Sequence, residues 1–214
     1  MDSNKFSGDS FLLCDIIREH YHNSDLPMCG VEVGVHRGFL SAQLLRAFPN
    51  LLLFMVDPWE DLRKSKDYES KSDGVLGNLT LEQQVVVMEQ AVRDTHFAET
   101  RRAIIRARSV TAAKLIRNWL DWVFIDGCHK YHAVRDDINI WWRKIKPGGF
   151  LSGHDYGDGR NKRLFNGTPI FGIDKAVNEF VSREKLKLLR NGSCWWVKKP
   201  YPKKIPATPA PAQL

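Results

Sequence analysis

No apolar run in the 214 residues reaches membrane-spanning length, and the stretch from Phe11 to Ile17 is interrupted by Asp15. The first ten residues, MDSNKFSGDS, lack a basic segment followed by an apolar core, so no signal peptide is read there. Cysteine is sparse: Cys14, Cys29, Cys128 and Cys194 show no paired spacing. That argues against metal knuckles and redox pairs and fits a reducing cytosol, so a cytoplasmic protein is expected. Two glycine signatures are also missing. There is no G-x-G-x-x-G run for a dinucleotide and no G-x-x-x-x-G-K-[ST] phosphate loop.

What is present is enough for one well-buried domain, with 43% hydrophobic and 27% charged residues. A net charge of +7 invites a nucleic-acid partner. Lys198, Lys199, Lys203 and Lys204 supply four of those seven charges, and no acid follows them, so residues 1–197 carry only +3. The other basic residues are scattered among acids, as in Asp61-Leu62-Arg63-Lys64-Ser65-Lys66-Asp67. This is a solvated surface, and neither a nucleic-acid groove nor a membrane partner is expected.

The most informative stretch is Asp121 to Tyr156, DWVFIDGCHKYHAVRDDINIWWRKIKPGGFLSGHDY. It reads as strand, helix, strand, and both strands end in acid. Trp122 to Ile125 runs into Asp126, and Gly149 to Ser152 runs into His154-Asp155. Between them Val134, Ile138, Trp141, Trp142 and Ile145 recur at three- and four-residue steps, the pattern of a helix with one apolar face. Lys146-Pro147-Gly148-Gly149 is read as its stop. A crossover of this kind makes the two strands parallel, so Asp126 and Asp155 leave the sheet at the same edge. Neighbouring strands lie roughly 4.8 Å apart, close enough for two carboxylates to share one cation. Wet strand ends are the plain alternative for the same acids.

The rest of the chain alternates in the same way. Residues 10–22 suggest an amphipathic helix with Ser10 as cap, and 30–35 a strand ending at Gly34. A helix is expected over 39–48 and a buried strand over 51–56 with Asp57 at its end. Residues 58–78 read as a long polar loop of the lid or binding type, and Thr80 with Gln83 as a capping box before a helix over 81–96. A short strand over 103–107, a helix over 110–119 capped by Ser109, and a helix within 170–181 complete the pattern. Asn191-Gly192 between two strand-like runs signals a hairpin. The expected fold class is α/β, a mostly parallel sheet with a C-terminal antiparallel hairpin. Residues 1–198 read as one domain, and 199–214, with five prolines, as a disordered tail.

The first strand and turn offer a nucleotide-type site. Gly34 and Gly38 allow a sharp bend, the next helix begins there, and Asp57 can accept both hydroxyls of a ribose. Glu32-x-Gly34-x-x-x-Gly38 does not fit a dinucleotide. A cofactor without pyrophosphate needs less phosphate cradle, and S-adenosylmethionine is one.

On these residues the chain resembles the class I S-adenosylmethionine-dependent methyltransferases. Residues 28–59 resemble that family's first two motifs. VFIDGCHKYHAVRDDINIWW…IKPGGFLSGHDY resembles a subgroup with metal-assisted small-molecule and sugar O-methyltransferases among its relatives. The resemblance implies a Rossmann-like sandwich with a seven-stranded sheet. It assigns Glu32, Gly34 and Gly38 to the methionine and ribose portion of the cofactor and Asp57 to the ribose hydroxyls. Trp59 and Ser109 would lie near the adenine, and Asp126 beside the methyl group. In metal-dependent relatives Asp126 also binds Mg²⁺, and Asp155 matches a second carboxylate. Those relatives commonly carry two acids or an acid and an amide at the last pair, where this chain has His154-Asp155. An imidazole is a softer ligand than Mg²⁺ prefers, so the implied cofactor, Mg²⁺ or another divalent ion, stays open in identity and in presence.

The implied reaction is O-methylation of a small hydroxylated molecule, a sugar among the candidates. His129 is the first choice of general base and Lys130 the second. Metal ligands are Asp126, His154 and Asp155, with His154 as a support for Asp155 the alternative. His36 and His132 read as surface residues, Tyr131, Trp141 and Trp142 as packing, and Asp136 and Asp137 as acids favouring the first turns of their helix. Base-amine methylation is disfavoured, since Asp126-Gly127-Cys128-His129 stands where an Asn/Asp-Pro-Pro-aromatic element would be. A non-catalytic module that binds RNA or protein through the basic tail is the competing function, and a homodimer stays open.

Overall fold

The computed structural model describes residues 8–21, 26–61, 63, 79–162, 164–165 and 168–202. Most of the loop expected over 58–78, and the tail beyond Pro202, lie outside the described residues. The chain runs α1 (Gly8–Tyr21), β1 (Met28–Val33), α2 (Phe39–Ala47), β2 (Leu51–Asp57), α3 (Leu81–Asp94) and β3 (Arg102–Arg106). It continues through α4 (Ser109–Leu115), β4 (Leu120–Ile125), α5 (Tyr131–Lys144) and β5 (Ile145–Gly153). A small hairpin, β6 (Leu164–Phe165) and β7 (Thr168–Pro169), precedes α6 (Ile173–Glu184), β8 (Leu189–Asn191) and β9 (Cys194–Lys198).

Seven strands form one sheet in the order β3-β2-β1-β4-β5-β9-β8. The first five are parallel to their neighbours, and β9 is antiparallel to both β5 and β8. From β1 the chain steps outward through β2 and β3, then returns to place β4 on the other side of β1. This reversal opens a crevice beyond the carboxyl ends of β1 and β4, where open α/β sheets hold ligands. Register supports the crevice: Val33 pairs with Val56 on one side and Ile125 on the other, and Ile125 pairs with Gly153. Asp57, Asp126 and Asp155 therefore emerge along one edge.

Both faces of the sheet are covered, which is why its strands are apolar nearly throughout. On β4, Trp122 and Phe124 join Leu13, Leu44 and Trp59 in one core, while Val123 and Ile125 join Ile138, Trp141 and Phe180 in the other. Alternation along a strand produces this split. Each fully buried side chain of this size contributes about 1.5–3 kcal/mol, which holds the strand ends in fixed relation.

Several boundaries depart from the sequence reading. The first helix begins at Gly8, so Ser10 lies inside it. The Thr80–Gln83 capping box is present, with reciprocal bonds of 3.2 and 2.9 Å. Ser109 is not a cap: Arg108 holds that position without a side-chain bond, and the helix ends at Leu115. Lys146-Pro147-Gly148-Gly149 does not stop α5, which ends at Lys144 and passes directly into β5. Pairing with the chain end explains this. The Lys199 N–H donates to the Gly149 carbonyl at 2.7 Å, and Gly148 N–H donates to Lys199 at 2.8 Å. Lys199 Nζ also bonds the Trp142 and Ile145 carbonyls at 2.7 and 2.8 Å, capping α5. Lys199 is thus bonded into the packed body.

Candidate active site

The turn after β1 is built by glycine. Gly34 has φ +91°, and a Cβ there would overlap the Asp126 carbonyl oxygen. Only glycine lets the β1 and β4 loops approach this closely. Gly34 N–H donates to the Val56 carbonyl at 2.9 Å and Asp126 N–H to the Val33 carbonyl at 2.7 Å, so the three loops are bonded to one another. Gly38 caps α2 with φ 78°, and a Cβ would lie 2.9 Å from Cα of Ala91 on α3. Its role is close helix packing, and it does not line the cavity described next.

A cavity of about 610 Å³ fills the crevice. Among the sequence-selected residues, Gly34, Asp57, Ser109, Asp126, His129, His154 and Asp155 line it. Glu32, Gly38, Trp59 and Lys130 do not. Glu32 is 2% exposed beneath the floor and accepts a short hydrogen bond from Ser41. Burial pushes its carboxyl up to about 8, against the lowering effect of Ser41. Trp59 is wholly buried in the core, with Nε1 donating to the His36 carbonyl at 3.0 Å. It therefore braces the turn beside Asp57 and is no platform for a base. Lys130 is the N-cap residue of α5.

At one end of the cavity Asp57 accepts the His36 N–H on Oδ2 and the Trp59 N–H on Oδ1, both at 2.9 Å. Burial raises its pKa, and these backbone donors oppose that rise. His36, read as a surface residue, lines the cavity, and its Nε2 is buried without a hydrogen-bond partner. Burial, then the adjacent Arg37, holds the imidazole below its ordinary pKa.

At the other end the acids are held by side chains. His129 Nε2 lies 2.9 Å from Asp155 Oδ2 and 3.8 Å from Asp126 Oδ1. His154 Nδ1 is 3.3 Å from Asp155 and 4.0 Å from Asp126, and its Nε2 is 2.8 Å from Ser193 Oγ. Arg160 donates to Asp155 Oδ1 at 3.2 Å. Phe171 stacks on His129 with centroids 4.2 Å apart and also packs under Arg160. Burial would raise the Asp155 pKa, but the His129 and His154 imidazoles prevail and hold it below the ordinary carboxylate range. Asp155 itself sits at φ 60°, a left-handed conformation that short polar side chains tolerate and that recurs at functional sites.

Asp126, His154 and Asp155 present one ligand atom each, all within 4.8 Å of one another. Two carboxylates and an imidazole anchored by a second partner form a donor set suited to a divalent cation. Arg160 and His129 already engage Asp155, so a cation would compete with them there.

Besides His36, His132 reads only as a surface residue yet lines the cavity, and further residues escaped the sequence reading. Arg160 stands in a segment with no motif, and Phe171, 1% exposed, directly precedes α6. Asp137, a helix-favouring acid by sequence, is 5% exposed, lines the cavity, and is pushed up to about 7 by burial. Its place three and four residues from Val134 and Trp141, on the apolar face, was the available signal.

Residues 31–156 match the model of a family described as a methyltransferase domain. That is more than half the chain, and the chain belongs to this family. Its sandwich is that of the class I S-adenosylmethionine-dependent methyltransferases. A Staphylococcus aureus protein assigned as a caffeoyl-CoA O-methyltransferase superposes with a TM-score of 0.63 at 12% identity, covering 89% of this chain and 82% of that one. TomG, an O-methyltransferase of Streptomyces achromogenes solved with S-adenosylmethionine, gives 0.60 at 12%, covering 91% and 81%. The O-methyltransferase NovP gives 0.60 at 16%, covering 88% and 80%. At such identities the likeness is one of fold. An uncharacterized protein of Acanthamoeba polyphaga mimivirus is 40% identical over 43 residues, a match spanning 20% of either chain.

Proposed function

We propose that this protein transfers a methyl group from S-adenosylmethionine to a hydroxyl of a small molecule, sugars included. One observation carries the reading: a single cavity joins Asp57, poised for a ribose, to the Asp126–His154–Asp155 cluster. The solved relatives named O-methyltransferases, one of them holding the cofactor, support it. The same reading treats residues 1–198 as one catalytic domain.

When bound, S-adenosylmethionine would supply an electrophilic methyl carbon, whose bond to sulfur would break as its bond to the acceptor oxygen formed, leaving S-adenosylhomocysteine. Asp57 accepts the ribose hydroxyls, and Gly34 lets the backbone approach the donor. Asp126, His154 and Asp155 are the residues to hold a divalent cation, which would lower the acceptor's pKa. His129 takes the hydroxyl proton; Asp155 on Nε2 orients the ring and stabilises its charged form. Lys130, off the cavity wall, is not needed for this.

A metal-independent form of the reaction is favoured by the partners Asp155 already has, His129 and Arg160. Calorimetric titration of S-adenosylhomocysteine tests the whole reading: saturable binding is expected, and none would remove it. Assay of methyl transfer to a panel of catechols and sugars, before and after exhaustive chelation, separates the two forms. Activity unchanged by chelation eliminates the cation and leaves the transfer standing.

A further inference from the structure

The sheet edge opposite the cavity, at the amino ends of β4 and β5, carries a surface that the catalytic reading does not use. Leu120 pairs with Ile145 there, so the ends of α4 and α5 meet. Lys144 ties them together: its carbonyl accepts the Trp119 N–H at 2.7 Å, and its Nζ donates to the Ile116 carbonyl at 2.6 Å. The end of β9 joins them through Lys199, which bonds Trp142, Ile145 and Gly149. Three segments distant in sequence, 114–119, 142–149 and 198–200, therefore share one edge. They hold seven Lys or Arg residues and no Asp or Glu. Lys144 and Lys199 cap helix carbonyls, and Lys146 pairs with buried Asp121 at 2.5 Å. Lys114, Arg117, Arg143 and Lys198 are left, all exposed and in no ion pair among the described residues.

Two large apolar side chains stand in the same segment. Leu115, at the end of α4, is 69% exposed and Trp119 is 70% exposed. Trp119 has φ 90°, a costly conformation for a bulky residue, and an indole mostly in water buries little area to offset that cost. Like charges facing each other oppose a second copy of the chain on this surface. A leucine neither stacks on a base nor bonds a phosphate, which disfavours single-stranded nucleic acid. A lipid surface accommodates all of it: tryptophan at headgroup level, leucine toward the acyl chains, and Lys and Arg on anionic headgroups. We propose that this edge docks the protein onto an anionic lipid surface, with the cavity at the opposite end. By sequence the basic residues lie scattered among acids, and the fold gathers an acid-free set of them around Trp119. The inference is independent of the methyl-transfer reading.

The test sediments the full chain with vesicles of phosphatidylcholine alone and of phosphatidylcholine with about one-third phosphatidylserine. The anionic vesicles are expected to bind at least about 10-fold more tightly, and the difference should vanish as salt rises to about 0.5 M. Trp119→Gly removes the indole at a φ that glycine accepts, so it should melt no lower than wild type and bind the anionic vesicles about 5- to 10-fold more weakly. Arg117→Glu with Arg143→Glu reverses two charges without touching the apolar pair and should weaken binding at least about 10-fold. S-adenosylhomocysteine affinity should stay at the wild-type value in both variants, since none of these residues lines the cavity. Equal binding to the two vesicles, or binding to neither, overturns the inference. Anionic-vesicle binding that both variants keep at the wild-type level overturns it too, since the contact then lies elsewhere on the chain. Retention of single-stranded RNA without vesicle binding overturns it in favour of nucleic acid.

Discussion

Asp57 and Asp155 are both acids at strand ends beside one cavity, yet the fold holds them by opposite means. Asp57 takes its bonds from backbone N–H groups of His36 and Trp59, residues in left-handed turns at φ 50° and 38°. Asp155 takes its bonds from the side chains of His129, His154 and Arg160. Backbone donors cannot leave without rebuilding the turn, whereas side chains can change rotamer. The Asp57 end is therefore held rigidly, and the Asp155 end can exchange one positive partner for another.

The comparison breaks most severely at Gly34, where the two ends touch. Gly34→Ala adds a Cβ that overlaps the Asp126 carbonyl at a positive φ. It should cost at least about 3 kcal/mol and lower the melting temperature by on the order of 10 °C, read by calorimetry. Asp57→Ala separates the ends. S-adenosylhomocysteine affinity should fall about 100-fold, the loss of two charge-assisted bonds, with Mn²⁺ binding unchanged. A parallel loss of Mn²⁺ binding would show that the ends are one unit.

Arg160→Ala probes the exchangeable end and has the opposite sign. Removing the guanidinium from Asp155 should tighten Mn²⁺ binding by about 3- to 10-fold at constant cofactor affinity. Weaker Mn²⁺ binding would mean that Arg160 builds the cation site instead of competing for it. The last comparison concerns the acid beneath the floor. The Glu32 pKa is raised from 4.5 to about 8 in the folded protein, so between these values the native state binds more protons than the unfolded chain. Stability therefore falls as pH rises across that window. Glu32→Gln should flatten the slope, measured by denaturant unfolding at pH 5 and pH 8, and an unchanged slope would assign it to other groups.

Much of this arrangement was legible before any coordinates. Apolar runs ending at Asp57, Asp126 and His154-Asp155 marked parallel strands and their common edge, because a two-sided sheet demands such runs. Asn191-Gly192 located the hairpin, since few residue pairs adopt its turn. The environment of each side chain was less legible. The resemblance implied Trp59 near the adenine, but packing turns its indole into the core. Lys146-Pro147-Gly148-Gly149 has the composition of a break, and a strand forms there because β4 and Lys199 provide partners.

Local chemistry and periodicity alone determined the alternation of strands and helices, the glycine turn at Gly34, and the identity of the acids at the strand ends. These depend on residues close in the chain. Tertiary structure decided that Arg160 and Phe171 close around Asp155, that His36 and Asp137 face the cavity, and that Glu32 and Trp59 do not. Each of those outcomes is set by which distant segment packs against the side chain, and a one-dimensional pattern specifies a face but not its neighbour.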